Sequence, residues 1–201
     1  MSRYSGPRLR KVRRLDSILP GLTRKGHRAR DGVPGQHPSS RRKMSDYAIR
    51  LREKQRLRFN YGLSERQLRN LFHRASRAKG DTGVNLLALV ESRLDNVVFR
   101  AGFAPTIPAA RQLVAHRHVL VDGSPTDVPS ARLRSGQKLA LRERAKKFGI
   151  VLDGLAEFLR QPPSFLEVDR EEMTATFTGV PRVEDVMLEI DINLVIEFYS
   201  R

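Results

Sequence analysis

The spacing of apolar residues predicts two helices between residues 87 and 118. The first helix has apolar side chains at three- and four-residue intervals, which form one buried stripe of Leu87, Val90, Leu94, Val97 and Val98. We expect this helix to end near Gly102. A second, basic helix is predicted to start at Pro108, because proline suits the first turn of a helix.

A short strand and a tight turn follow these helices. Val119-Leu120-Val121 precedes Asp122-Gly123, a residue pair typical of a two-residue hairpin turn. We expect the return strand at residues 138–142, after a loop that contains Pro125 and Pro129. Two small helices packed on a bent sheet, with cations and amides on the outside, would form a compact platform for a phosphate backbone.

Residues 45–80 show the periodicity of two further helices. Ser45 is predicted to cap the first, whose candidate core contacts are Tyr47, Leu51 and Leu57. Gly62 ends that helix, and the segment from Ser64 to Gln67 matches a capping box that starts the next. The core side of this second helix is predicted to consist of Leu68, Leu71, Phe72 and Ala75.

The pattern changes after Lys147. Residues 149–160 predict a partly helical connector, and residues 173–177 predict a short strand. Residues 192–199 are nearly continuous in apolar side chains, with Glu197 as the exception. We therefore expect a terminal strand that is buried on both faces.

Positive charge is concentrated at the start of the chain. The 201 residues carry a formal charge of +16, to which residues 1–80 contribute +18, residues 81–148 contribute +5 and residues 149–201 contribute −7. A one-sided excess this large favours nucleic acid as the partner over a merely solvated surface. The acidic end is either a solvated face or a docking site for a basic protein.

Several kinds of site are excluded or disfavoured by composition. The chain has no cysteine, which rules out disulfides, thiolate catalysis and cysteine-ligated metal. No apolar run approaches the roughly 18 residues of a membrane helix, so no membrane partner is expected. His116 and His118 lack an evident third ligand, and we favour RNA contact or a surface role over metal binding. No cofactor is predicted.

Several motifs in the same order resemble one family along the whole chain. Residues 92–123, SRLDNVVFRAGFAPTIPAARQLVAHRHVLVDG, look like the S4 RNA-binding domain. The chain opens with MSRYSGPRLRKVRRLDSILPGLTRK, continues at residue 47 with YAIRLREKQRLRFNYGLSERQL, and ends with LVIEFYSR. Together these segments resemble the ribosomal protein S4 family in its cyanobacterial or plastid style.

The resemblance implies an α+β fold with four parts. These are an extended basic N-terminal arm (1–44), a helical domain (45–90) completed by residues 149–201, an inserted S4 module of two helices on a small bent antiparallel sheet (91–148), and the acidic segment itself (149–201). The terminal strand returns to the body. The arm has three Pro/Gly interruptions and few apolar residues, so we expect it to gain order only on its anionic partner.

The same resemblance implies a structural, non-enzymatic function on the ribosome, in a bacterial cytoplasm or a plastid stroma. Family members bind 16S-type ribosomal RNA directly and early, at a junction of several helices, and so nucleate assembly of the body of the small subunit. They also contact ribosomal protein S5, an interface linked to decoding accuracy. A stable homo-oligomer is not expected.

The resemblance places three groups of residues against RNA. In the arm they are Arg3, Tyr4, Arg8, Arg13 and Arg14. In the following helix they are Arg50, Lys54, Gln55, Arg56, Arg58 and Tyr61. In the central module they are Arg93, Arg111, Gln112, His116 and His118. We add further basic residues from the charge pattern: Lys25, Arg41, Arg42, Lys43, Arg66 and Arg117.

Some of these predictions carry alternatives. Tyr61 is as suited to the core as to stacking on a base. Arg117 stands where the family commonly has glycine and adds charge near RNA. Asp122 stands where asparagine is common, and its acid argues against a phosphate contact there.

An RNA-modifying enzyme and an RNA chaperone are the rival functions. Arg93-Leu94-Asp95 resembles the core of pseudouridine synthases, in which the aspartate is catalytic. We expect these residues in the middle of a helix, with Asp95 in a local hydrogen bond or ion pair. That placement disfavours catalysis.

Overall fold

A computed structural model describes residue 4 and residues 6–25, 32–36, 43–157 and 162–200. The chain divides into two compact units, one made of Met1–Leu86 with Met187–Arg201 and the other of Leu87–Val186. The boundary predicted after residue 148 differs from the observed one, because residues 149–186 belong to the second unit. Of the predicted acidic segment, only its last part completes the first unit.

The described residues form nine α-helices and five β-strands. In chain order they are α1 (Arg8–Leu15), α2 (Asp46–Asn60), α3 (Glu65–Arg77), α4 (Thr82–Glu91), α5 (Leu94–Arg100), α6 (Ile107–Ala115), β1 (Val119–Val121), β2 (Ser124–Thr126), β3 (Lys138–Leu141), α7 (Glu143–Lys146), α8 (Gly149–Glu157), β4 (Leu166–Asp169), β5 (Thr174–Phe177) and α9 (Ile192–Ser200). The α+β class predicted from the sequence is confirmed.

Side-chain caps fix the starts of α2 and α3 as the sequence predicts. The Ser45 hydroxyl accepts a hydrogen bond from the Ala48 backbone N–H at 3.3 Å. Ser64 and Gln67 form a reciprocal capping box. The four predicted core residues of α3 are all buried, and so is Leu57 of α2. Tyr47, however, is 63% exposed, so its predicted core role is wrong.

The N-terminal arm is more folded than its composition predicts. Residues 8–15 form α1, and four side chains of this region are almost completely buried: Val12, Leu15, Leu19 and Leu22. Asn60 of α2 accepts a hydrogen bond from the Gly21 backbone N–H at 2.9 Å. A valine and three leucines therefore pack residues 6–25 onto the first unit.

The C-terminal segment is a helix, and the predicted terminal strand is wrong. Its start is marked by Asp191, which accepts a hydrogen bond from the Asn193 backbone N–H at 3.0 Å. Val195 is fully buried, and the Tyr199 ring stacks on Phe72 of α3 with centroids 5.0 Å apart. Glu197 stays exposed. A short apolar run has no diagnostic period, so tertiary packing on α2 and α3 decides its structure.

The second unit contains one antiparallel sheet with strand order β2-β1-β3-β5-β4. Asp122 and Gly123 have φ values of 49° and 78°, as a two-residue hairpin turn requires, so the predicted turn is confirmed. The hairpin partner is β2, a strand that was not predicted, whereas the predicted strand at residues 138–142 pairs with the other edge of β1. The strand predicted at residues 173–177 appears as β5.

Alternating side chains of the sheet face the core of this unit. Leu139 and Leu141 of β3 are buried with Ala175 and Phe177 of β5, as the two-residue period of a strand requires. Helix α8 also packs closely: a Cβ placed on Gly154 would lie 2.7 Å from the carbonyl oxygen of Gly102. No other residue fits there without a shift of the backbone.

The predicted long helix ending near Gly102 is two helices, α4 and α5, with a break at Ser92 and Arg93. The break is held by a non-local loop, because the Leu94 N–H donates to the Ala131 carbonyl at 2.7 Å and the Leu133 N–H donates to the Ser92 carbonyl at 2.9 Å. These bonds replace intrahelical ones. The second helix of the module, α6, begins one residue before the predicted Pro108.

In the part of the chain that the structure describes, no helix is long and apolar enough to cross a membrane.

The folded arm can be tested in the RNA-free protein with a matched pair of variants. Leu19 is 1% exposed and its neighbour Ile18 is 65% exposed. We expect Leu19→Ala to lower the free energy of unfolding by about 2–5 kcal/mol. Ile18→Ala should change it by less than about 0.5 kcal/mol. All four tyrosines lie in this unit and the chain has no tryptophan, so tyrosine fluorescence during urea unfolding reports it. Equal, small effects would show an unfolded arm.

Candidate RNA-binding surface

The first unit presents exposed cations on α1 and on α3. Arg8 and Arg14 are exposed, and Arg13 is half-buried, with its Nε donating to the Gly32 carbonyl oxygen at 3.1 Å. Other predicted contact residues of this unit that lie exposed are Tyr4, Lys25, Lys43 and Arg66. The predicted contacts Arg3, Arg41 and Arg42 lie outside the described residues.

The cations predicted on α2 are largely engaged within the protein. Arg50 pairs with Glu197 at 2.6 Å. Arg56 donates to the Leu15 carbonyl oxygen at 3.0 Å and also pairs with Glu53. These side chains join α2 to α9 and to the end of α1, so they hold the unit together.

Lys54 is the clearest correction in this helix. It is 4% exposed, and its ammonium pairs with Glu65 at 2.9 Å and lies 4.5 Å from the centroid of the Phe198 ring. Its position is therefore interior, not on the predicted RNA-facing surface. Burial opposes ionisation of Glu65, but hydrogen bonds from Lys54 and Tyr199 outweigh it and lower the pKa of Glu65. Burial and the same bond to Glu65 raise the pKa of Tyr199.

The end of α2 mixes surface and core residues. Arg58 donates to the Leu63 carbonyl oxygen at 3.3 Å and to Gln55 at 3.3 Å, and both side chains remain half-buried. Tyr61 is 2% exposed, so the structure favours its core alternative over base stacking. Phe59 is half-buried and contacts the Tyr4 ring edge to face.

A buried carboxylate organises the predicted arginines of the second unit. Asp95 is fully buried and pairs with Arg93 at 2.8 Å and with Arg111 at 2.6 Å. The expected ion pair of Asp95 is confirmed, although it lies at the start of α5 and not in the middle of a helix. Arg93 is 5% exposed, which corrects its predicted surface position. The Arg-Leu-Asp sequence thus lies at the helix break with both of its charged side chains engaged inside the protein.

The turn after α6 presents the exposed group of this unit. Gln112, His116 and Arg117 are exposed and His118 is half-buried. Arg117 has a left-handed φ of 61°, and the His118 N–H donates to the Leu113 carbonyl at 3.0 Å, so the helix ends in a Schellman motif. This left-handed geometry favours glycine, which explains why Arg117 departs from the glycine that is common at this position. The Arg117 guanidinium pairs with Asp127 at 2.7 Å.

Two further cations, Arg142 and Arg144, lie near His118 and are not among the contacts predicted from the sequence. Burial lowers the pKa of His118, and the positive field of His116, Arg144 and Arg142 lowers it further. Both arginines are exposed. The sequence signal that could have located these arginines is the cation-rich segment at residues 142–147, directly after β3.

Asp122 faces the protein. Its carboxylate accepts hydrogen bonds from the Lys138 backbone N–H at 2.9 Å and from the Gln137 amide at 2.7 Å. These bonds lower the pKa of Asp122. The acid in the turn therefore serves the hairpin. Within the described ranges, no group of three or more His, Asp or Glu side chains is positioned to hold a metal ion.

The arrangement defines the class of the protein. A unit with two helices, α5 and α6, and an antiparallel sheet carries histidine and arginine side chains outward at one turn, and the other unit carries a basic helix at its surface. Excess cations on rigid elements are the electrostatic footprint of a nucleic-acid-binding protein.

Comparison with known proteins agrees and is more specific. Residues 3–91 match the ribosomal protein S4/S9 N-terminal domain, and residues 92–139 match the S4 domain. The small ribosomal subunit protein uS4 of Prochlorococcus marinus is 54% identical over 100% of this chain and 99% of its own length. Those of Synechococcus elongatus and Methylobacillus flagellatus are 54% and 48% identical over 100% of this chain and 99% and 98% of theirs.

The chain therefore belongs to the uS4 family of small-subunit ribosomal proteins. It is a structural constituent of the small ribosomal subunit, located on the ribosome, and not an enzyme. The alternatives of a pseudouridine synthase-like enzyme and an RNA chaperone are not favoured.

The Asp95 ion pairs give a stability test. Asp95→Asn keeps the shape of the side chain but leaves two largely buried guanidinium groups without their counter-charge. We expect the free energy of unfolding to fall by about 3 kcal/mol or more, measured by circular dichroism in urea. The control is Asp153→Asn, an exposed carboxylate of the same unit, which should have an effect below about 0.5 kcal/mol. Equal stability of the two variants would contradict the structural role of Asp95.

Proposed function

We propose that the chain binds 16S-type ribosomal RNA directly, at a junction of several RNA helices, and nucleates assembly of the body of the small subunit. The observation that carries this proposal is the division of the cations into two sets. Carboxylates engage the interior cations, such as Lys54 and Arg93, while Arg14 of α1 and Arg142 and Arg144 beside His118 stay exposed. The exposed set is free to meet phosphates.

The physical mechanism is neutralisation of phosphates that would otherwise repel each other. Folding of a junction brings several RNA backbones together, and each phosphate that meets Arg or Lys releases a condensed counterion. The major groove of RNA helices is too deep and narrow for side chains to read. Specificity therefore comes from the shape of the junction, matched by cations held on folded elements.

A binding titration tests this proposal. Full-length 16S ribosomal RNA and a scrambled RNA of the same composition are titrated with the protein at matched salt. If about ten phosphates are engaged, the affinity for ribosomal RNA falls on the order of a thousandfold or more between 50 and 200 mM salt. We expect clearly tighter binding to ribosomal RNA at each salt concentration. Equal binding to both RNAs would reduce the protein to a nonspecific polycation.

A second part of the proposal is contact with ribosomal protein S5, through which the chain contributes to translational accuracy. It is supported by a groove of about 780 Å³ between the start of α2, α3 and α9, whose lining includes Tyr47, Arg50, Arg69, Glu197 and Phe198. The Tyr47 ring lies 5.8 Å from the Phe198 ring and is mostly exposed. An exposed aromatic ring with charges of both signs around it is typical of a protein-docking surface.

One variant distinguishes the role of this groove in binding S5 from the binding of RNA by the same protein. Tyr47→Ala should weaken binding to purified ribosomal protein S5 by about tenfold or more in calorimetry, because buried tyrosines dominate many interfaces. Ile18→Ala removes an equally exposed apolar side chain of the same unit and should have little effect. Both variants should keep wild-type affinity for 16S ribosomal RNA. Unchanged affinity of Tyr47→Ala for S5 would contradict a docking role for this groove.

A further inference from the structure

Lys11 lies between two aromatic rings of the first unit. Its ammonium is 4.7 Å from the centroid of the Tyr4 ring and 4.5 Å from that of Phe59, and the two rings meet edge to face at 5.5 Å. Ring faces attract a cation through their quadrupole without neutralising its charge. The contacts therefore fix the position of the ammonium while it remains fully positive.

Three arginines lie close enough to Lys11 to repel its ammonium. Arg10 and Arg14 are exposed neighbours on α1, one turn apart, and the Arg58 guanidinium lies 5.3 Å from the centroid of the Phe59 ring. Burial lowers the pKa of Lys11, and repulsion by Arg14, Arg58 and Arg10 lowers it further.

The carboxylate of Glu65 is paired with Lys54, although the charge of Arg58 also helps to lower the pKa of Glu65. Among the described residues, no ion pair joins Lys11, Arg10, Arg14 or Arg58 to an acidic side chain. Four cations without ion pairs of their own repel each other, and an anion bound beside them relieves that repulsion. Such an excess of positive charge on folded elements favours the binding of an anion.

We propose that Lys11, Arg10, Arg14 and Arg58 form a binding site for one backbone phosphate of RNA, with Tyr4 and Phe59 holding the Lys11 ammonium in place. This inference rests on the proposed binding of 16S-type RNA and deepens it, because neither Lys11 nor Arg10 was among the predicted contacts. Lysine normally loses much side-chain freedom on binding a phosphate. Here the rings have already ordered it, which lowers the entropic cost of the contact.

The test uses the full chain and 16S ribosomal RNA. Lys11→Met keeps the length of the side chain and its contact with the rings but removes the charge. Its matched control is Lys79→Met, an exposed lysine of the same unit. We expect Lys11→Met to reduce the slope of log affinity against log salt by about 1 and to weaken binding about tenfold at 100 mM salt. Lys79→Met should weaken binding less than about threefold.

A second measurement does not depend on a variant that folds. In the wild-type protein, nuclear magnetic resonance of the lysine side chains follows the titration of Lys11 with and without saturating RNA. A bound phosphate raises the pKa of Lys11, because an opposite charge favours the ammonium form. We expect that rise, and an unchanged titration would overturn the inference.

The outcomes separate this site from the function on which it rests. If Lys11→Met and Lys79→Met bind alike while the wild type still prefers 16S ribosomal RNA to scrambled RNA, the phosphate site is wrong and the proposed function stands. If the wild type shows no preference between the two RNAs, the proposed function itself fails.

Discussion

The shortage of carboxylates around so many cations is the constraint on which the structure depends. Residues 1–80 carry a formal charge of +18, so few cations there can find an acidic partner. Two of the carboxylates that do pair join separate elements: Glu65 joins α3 to Lys54 of α2, and Glu197 joins α9 to Arg50. Many of the cations left over lie exposed on the surface, and they are the ones for which we propose RNA as the source of counter-charge.

Much of the fold follows from local chemistry that the sequence shows directly. The Ser45 and Ser64 caps and the Asp122-Gly123 turn depend on neighbouring residues, and each appears where predicted. The errors concern interactions between distant residues. The break between α4 and α5 is held by residues 129–133, and α9 is helical because it packs on α2 and α3. Periodicity within a segment contains no information about such partners.

The candidate site shows the same division between what local sequence predicts and what depends on distant residues. Residue type identified the cations, but it could not tell which of them are paired inside the protein. Lys54 and Arg93 resemble surface contacts in the sequence and are buried beside carboxylates that are 11 and 2 positions away in the chain. Lys11 shows the opposite case, since only the folded arm brings it between Tyr4 and Phe59. Exposure and pairing are tertiary properties.

The packing of α9 has a consequence for biosynthesis. Tyr199 and Phe198 cover Phe72 and Lys54, yet the entire second unit separates these two parts of the first unit along the chain. A nascent polypeptide can form α1, α2 and α3 early, but their shared interior stays open to solvent until α9 has left the exit tunnel. Closure of the first unit thus waits until the whole second unit has been synthesised.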